Sequence, residues 1–449
     1  MRPHRGVRTL SPFVAMLALL GPVGAGATDD AEGVVPPAVS EFPKTLTLAE
    51  ALRLLEGHSL DLATASAAVS AAQAQVRVAG AVPNPEVGFS VGKSWQCQGT
   101  PGCDQPYWSG SLSDQGALAF LATGQRGLAV GAAEHGLTAA QALKGDALRN
   151  ATFQMKQQFI NTAMAQRALQ FTRDEAKLAQ GTVDLSRKRL AAGAISDADL
   201  ARLEVLALQL DQATDRAEQA LEQAKAALAL TFGVRPAPVD FQVEAPELQS
   251  ALAPPRLAGA TLASLVDEAR QHRPDVAAAR AQVEQTRTAA SLARRQIIPQ
   301  FSLQLGYYQQ GSSGGYVNYP TGTIGISVPL PVLYQQQGQI GQADAAAWTA
   351  DLALARLEAQ LLSDVTTAYG AMVTSGSAAR RAEQRLLARS RDARDLVNIQ
   401  YSKGAASLLD LLDAERTHIS NEIDYLQALG TYWSAVVQLE QAVGTSYLP

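Results

Sequence analysis

The chain has very little cysteine, histidine, methionine or aromatic character: two Cys, five His, five Met and 6% Phe, Trp and Tyr in 449 residues. So few metal-binding side chains, scattered along the sequence, define no dedicated metal site, and no cofactor is expected. Excess positive charge is also missing, with 37 basic against 42 acidic residues, which argues against a nucleic-acid partner. After residue 27 no apolar run reaches 18 residues, which excludes a bundle of inner-membrane helices. Low aromatic content beside alanine-rich stretches favours long helices packed closely along their length over one thick core.

What is present begins with a basic, apolar and small-residue series. Arg2, Arg5 and Arg8 precede the apolar stretch from Phe13 to Leu20 and an Ala25-Gly26-Ala27 exit, the parts of a secretory signal over residues 1–27. No cysteine follows that exit to accept a lipid. The expected product is periplasmic, secreted, or a membrane β-barrel. Cys97 and Cys103 bracket a Gly/Pro loop with no histidine nearby. In an exported chain a disulfide is the expected state, ahead of metal binding.

Sliding the sequence against itself by 214 residues exposes a tandem repeat. Thr47-Leu48-Ala49 meets Thr261-Leu262-Ala263, and His58 and Asp61 meet His272 and Asp275. The register continues through Pro85 and Pro299, Gly92 and Gly306, and Gly124 and Gly338. A shift of 211 then aligns Gly193, Asp199, Leu200, Glu204 and Gly233 with Gly404, Asp410, Leu411, Glu415 and Gly444. The chain is a duplication: a first repeat over 28–233, a Pro-rich connector over 234–260, a second repeat over 261–444 and a tail over 445–449.

Each repeat predicts the same order of elements. One helix spans about 48–81 or 262–297, followed by a β-hairpin over 85–121 or 300–333. In the second hairpin Phe301, Leu303, Leu305 and Tyr307, then Ile324, Ile326 and Val328, alternate with small or polar residues, a period of two. Proline is then absent from Gly124 to Leu190 and from Gly338 to Tyr401, and each stretch reaches about 100 Å as one helix. Leu148, Met155, Leu169, Ala176, Val183 and Leu190 share a heptad register broken by Thr162, the mark of a coiled coil. Past Gly193 and Gly404 the chain returns in second helices, which predicts hairpins over 124–231 and 338–443. Four strands per chain cannot close a barrel, and lipid tolerates no open edge, so a membrane barrel has to be shared between chains.

The order and spacing of these motifs resemble the TolC-like outer-membrane factors of tripartite efflux pumps, nearest the CzcC and CusC type. The resemblance runs from about Thr45 to Gly444. It is carried by the paired openings Leu46 to Leu52 and Ala260 to Val266, by His272-Arg273-Pro274-Asp275, by the prolines before the hairpins, and by the run Gly404 to Asp413. It implies a mainly α fold with a membrane β-barrel: a homotrimer whose shared 12-stranded barrel continues into a periplasmic α-helical tunnel. The implied place is the outer membrane of a Gram-negative bacterium, among outer-membrane lipid. The implied partners are a periplasmic adaptor, or membrane fusion protein, and an inner-membrane pump.

The resemblance also assigns roles to residues. Asp410 and Asp413, with Asp199 as the repeat mate of Asp410, line the channel constriction and attract cations; their plainer role is a solvated, helix-start charge. The family's basic residue two positions after the second glycine is Ala406 here, with Lys403 or Arg202 as the substitute. Gly193, Ala194 and Ile195, with Gly404, Ala405 and Ala406, form the adaptor-docking tips. Gly311-Ser312-Ser313-Gly314-Gly315 matches a nucleophile motif in form only, because it lies between strands; it reads as an outer loop, and no enzyme is expected. The implied function is a conduit for metal cations or drugs. A type I protein-secretion channel is the alternative within the family, and a periplasmic coiled-coil structural or adhesion protein is the alternative outside it.

Overall fold

The computed structural model describes residues 42–93, 105–233, 240–311 and 319–448; the signal expected over 1–27 lies outside them. The first repeat opens with β1 (Thr45–Thr47), α1 (Leu48–His58) and α2 (Leu60–Gly80). Thr47 and Glu50 form a reciprocal capping box at the start of α1, which satisfies two otherwise orphaned N–H groups. The single helix predicted over 48–81 is broken at Ser59. That residue is extended (φ −67°, ψ 124°), ending α1 and capping α2 through the N–H of Leu62.

β2 (Glu86–Gly92) and β3 (Tyr107–Ser113) follow, then α3 (Ala117–Ala122), α4 (Gln125–Ala191) and α5 (Asp197–Thr231). The strand predicted to reach 121 stops at Ser113. Asp114 takes the N–H groups of Gly116, Leu118 and Leu303 on its carboxylate, and Gln115 and Gly116 adopt positive φ, so the chain turns into a short helix instead. α4 is one helix of 67 residues, about 100 Å long. Thr162, which breaks the heptad in sequence, is fully buried. Its hydroxyl donates to the carbonyl of Gln158 at 2.7 Å, so the helix itself satisfies that polar group.

The connector, described from residue 240, is built into the body. β4 (Gln242–Glu244) pairs in parallel with β1, and Phe241, Leu248, Ala251 and Leu257 are buried. The second repeat then supplies α6 (Leu262–His272), α7 (Pro274–Arg295), β5 (Ser302–Gln310) and β6 (Thr321–Ser327). Here too the predicted opening helix is broken, at Arg273, because Pro274 disfavours helical backbone in the residue before it and suits the first position of the next helix. β6 ends well before 333, ahead of Pro329 and Pro331. α8 (Gln337–Arg381) passes through a π-helical turn, Ala382–Leu387, into α9 (Ala388–Ser402), and α10 (Leu408–Val443) returns.

The two hairpins form one antiparallel sheet in the order β2-β3-β5-β6. Register places Val87, Phe89 and Val91 beside Leu112 and Trp108, and these beside Leu303, Leu305, Ile324 and Ile326, on one face. The other face carries Gly88, Ser90, Ser109, Ser111, Gln304, Gly306, Thr321 and Thr323, with the rings of Tyr107 and Tyr308 against each other at its far end.

The main core joins both repeats and the connector, with Met155, Phe159 and Ile160 of α4 against Leu228, Leu265, Leu361, Leu429 and Val436. The chain end belongs to it: Tyr447 and Leu448 are buried. Lys156, 1% exposed, donates to Glu440 and to Ser446 at 2.8 Å each, while Glu440 accepts the N–H groups of Tyr447 and Leu448. Lys156→Ala leaves that carboxylate buried without its cation. A loss of about 3 kcal/mol or more is expected, seen as a lower denaturation midpoint, with much of it recovered in Lys156→Met/Glu440→Gln.

Candidate functional site

The turns between the paired helices are built alike. Gly193 and Gly404 stand at φ 73° and 76°, a left-handed conformation that glycine adopts without penalty. Gly193 and Ala194 donate to Leu190 and Arg189, and Gly404 and Ala405 to Tyr401 and Gln400, so each pair closes a Schellman motif on the last carbonyls of α4 or α9. One residue later, Ser196 and Ser407 cap α5 and α10. Only Ile195 or Ala406 separates the two devices, which keeps the turns short. A local apolar cluster holds the two hairpins together behind them: Val183, Leu203 and Leu206 of the first against Leu408, Leu411 and Leu412 of the second.

Asp199 and Asp410 are the third residues of the two capping boxes. Asp410 Oδ2 accepts the Ser407 hydroxyl at 2.7 Å and the Ser407 N–H at 2.9 Å; Asp199 Oδ2 accepts the Ser196 hydroxyl at 2.8 Å. These Ser407 hydrogen bonds hold the Asp410 carboxyl below the usual range, so it is ionised over the physiological range. Asp413, one turn on, is exposed and takes no cap. Arg202 lies 3.4 Å from Asp199 within the same turn, while Lys403 and Ala405 are exposed.

Two further clusters carry charge, and the sequence singled out only the His-Arg-Pro-Asp part of the first. Arg273 grips Asp275 through two hydrogen bonds, at 2.6 and 3.1 Å, and reaches Asp364 of α8 at 3.1 Å and the carbonyl of Ala442. Arg149 of α4 completes the group, 3.6 Å from Asp275. Burial pushes the Asp275 carboxyl up, but the hydrogen bonds and charge of Arg273, with Arg149 nearby, hold it below its usual range. The His-Arg-Pro-Asp motif is therefore a brace for four helices.

Nearer the turns, Glu175 of α4 lies near Glu415 and Glu422 of α10 and Arg394 of α9, and His418 of α10 lies near Glu422 and near Arg391, Arg394 and Asp395 of α9. Burial raises both Glu175 and Glu415 and, with Arg394, lowers His418, whose Nδ1 lies 3.2 Å from the Ser390 hydroxyl. Glu175 is mostly buried and makes no hydrogen bond or ion pair among the described residues. The one sequence signal for it is its place beside the heptad residue Ala176.

Among the described residues no group of three His, Cys, Asp or Glu is placed to hold a metal ion, and no helix is long and apolar enough to cross a membrane. Cys97 and Cys103, with their expected disulfide, and Ser312 to Gly315 of the outer loop lie outside the described residues.

The protein is thus a duplicated chain with a two-faced sheet and long paired helices. A family model described as outer membrane efflux protein matches residues 51–234 and 265–445. The chain belongs to the outer membrane efflux protein family. This efflux protein is 24% identical to the cobalt-zinc-cadmium resistance protein CzcC of Cupriavidus metallidurans over 439 residues, 97% of this chain and 99% of the relative. Its fold is similar to solved structures of CusC (TM-score 0.71, 18% identity, 89% of this chain and 92% of that one) and of the MtrE outer membrane channel of Neisseria gonorrhoeae (TM-score 0.69, 20% identity, 89% of each). It is an outer-membrane efflux channel, from a family of channel proteins rather than enzymes.

Glu175 and Glu415 contribute a pH dependence of definite sign to the stability of this efflux protein. The packed helices hold the Glu175 and Glu415 protons more tightly than separated helices do, so their stabilisation is full in acid and is lost as pH rises through the raised values. His418 acts oppositely, its contribution falling as the pH drops. Glu175→Gln, which keeps the shape without the charge, is expected to raise the denaturation midpoint at neutral pH and to have much less effect in acid.

Proposed function

We propose that three copies of this chain assemble into one conduit, each giving four strands to a 12-stranded barrel and its helices to a periplasmic tunnel. The observation that carries this reading is the sheet: one face is mainly apolar and exposed, the other mainly small and polar apart from Tyr107 and Tyr308, and β2 and β6 leave both edges unpaired among the described residues. An apolar outer face toward lipid and a hydrated inner face are what a spanning barrel requires, and closure removes edges that lipid would not tolerate. Two edges per chain, each meeting its neighbour's, satisfy both demands.

In this reading the helix turns lie at the periplasmic end, and a periplasmic adaptor and inner-membrane pump deliver cargo there. The similarity to CzcC over nearly the whole chain favours metal cations as cargo. Nothing in the channel needs to coordinate them, since a ring of Asp410 and Asp413 from three copies attracts cations by its field alone. Asp199 contributes less, with Arg202 beside it. Asp413→Asn is expected to lower cation selectivity and multivalent-cation block in single-channel recordings while leaving the helix cap intact. Asp410→Asn should do the same and in addition speed amide exchange in the first turn of α10. Unchanged selectivity in the double variant would return both to a capping and solvation role.

The tips, Gly193 to Ile195 and Gly404 to Ala406, are largely exposed and, apart from Ile195, small, which allows close approach of an adaptor hairpin. Ala194→Trp and Ala405→Trp are expected to leave trimer assembly and membrane insertion unchanged and to abolish adaptor crosslinking and efflux. Normal efflux by the double variant at normal expression would place docking elsewhere.

A further inference from the structure

The strands are short for a membrane crossing. β2, β3 and β6 have seven residues each and β5 has nine. Seven residues at about 3.4 Å each, tilted by about 40°, rise about 18 Å, against an apolar band about 25 Å tall. Something other than strand has to supply the remainder.

The apolar alternation of β6 continues past the strand end. Ile324, Ile326 and Val328 are followed at the same spacing by Leu330, Val332 and Tyr334. Leu330, Val332 and Leu333 are 75%, 76% and 98% exposed, a cost in water that a soluble surface would not carry in one run. Pro329 and Pro331 end the strand, yet they have no N–H, so the extension presents fewer unpaired donors than another sequence of its length would. Its far end is anchored, for the Tyr334 hydroxyl accepts the N–H of Gly338 at 3.0 Å and donates to Gln339. At the same end of the sheet, α3 leaves Leu118 and Leu121 half exposed, and Leu118 is the repeat mate of Val332. No Asp, Glu, Lys or Arg occurs from Tyr319 to Ala343 or from Gln115 to Gln125.

We propose that the segment from Val328 to Tyr334, together with α3, forms an apolar collar seated in the periplasmic leaflet of the outer membrane, where it completes the lipid-contacting belt that the strands begin. The occupant of this surface is lipid. Its continuity with the apolar sheet face, the shortfall in strand height and the absence of charge all point to acyl chains and their headgroup boundary. The collar rests on the barrel reading, and the test separates the two.

Leu333→Trp and, on the strand face, Ile326→Trp are reconstituted in phosphatidylcholine vesicles whose acyl chains are brominated near the headgroup. Emission is compared with that of the unsubstituted protein, and aqueous iodide serves as the second quencher. Loss of fluorescence to the brominated lipid at both positions, with little loss to iodide, is expected. Lipid quenching at Ile326→Trp alone overturns the collar and keeps the barrel, with iodide quenching at Leu333→Trp indicating a watery surface and quenching by neither indicating cover by a neighbouring copy. No lipid quenching at Ile326→Trp overturns the barrel reading and the collar with it.

Discussion

The pairing of β3 with β5 is the contact on which the rest of the structure depends. Tyr107 to Ser113 lie in register against Gln304 to Gln310, and this seam turns two hairpins, from halves of the chain nearly 200 residues apart, into one sheet. A lone two-stranded hairpin is marginal in water; four strands with a common apolar face are not. Asp114 extends the seam beyond the strands, its N–H going to the Leu303 carbonyl and its carboxylate receiving the Leu303 N–H. The same end of the sheet feeds α4 and α8, and both of these long helices pack against α7. Gln125 secures that junction, donating to the carbonyls of Arg295 and Ile298 at the end of α7.

Duplication left the two halves with one plan and different means of executing it. Both opening helices break at the residue after the repeat-related histidine, but Ser59 does so with a side-chain cap, and Arg273 does so under the constraint of Pro274. The second solution adds a buried cation at the break, and that cation then braces α8 and α10 through Asp364 and the Ala442 carbonyl. The long helices differ too. α4 runs unbroken, while its counterpart passes through the π-helical turn at Ala382–Leu387, which changes the phase of the buried face before the helix reaches the turn at Gly404.

In the proposed conduit, capping and channel electrostatics would draw on the same carboxylate at Asp410. One oxygen is committed to Ser407 and keeps the group ionised, so the helix start and the negative field support each other. Asp413 carries no such commitment and is the freer charge of the two. Behind them Leu408, Leu411 and Leu412 are buried against the first hairpin, which makes this face of α10 a fixed platform for its exposed carboxylates.

The sequence by itself determined the repeat, the order of elements in each half, the long proline-free helices and the glycine turns. Those features are local: they follow from periodicity, from where proline is absent, and from where glycine alone fits. It overran at Ser59, at Asp114 and past Ser327, where a side-chain cap, a carboxylate gathering three N–H groups and a pair of prolines end elements that periodicity alone would continue. Thr162 looked like a flaw in the heptad because its polarity is visible in sequence and its bond to Gln158 is not. Tertiary structure alone decided that the connector is core, that Tyr447 and Leu448 are buried, that Lys156 meets Glu440, and that Glu175 lies buried among carboxylates. Each of those facts joins residues far apart in the chain. Burial and charge pairing across such distances are set by how helices from both repeats stack, and no spacing along one strand of sequence encodes that.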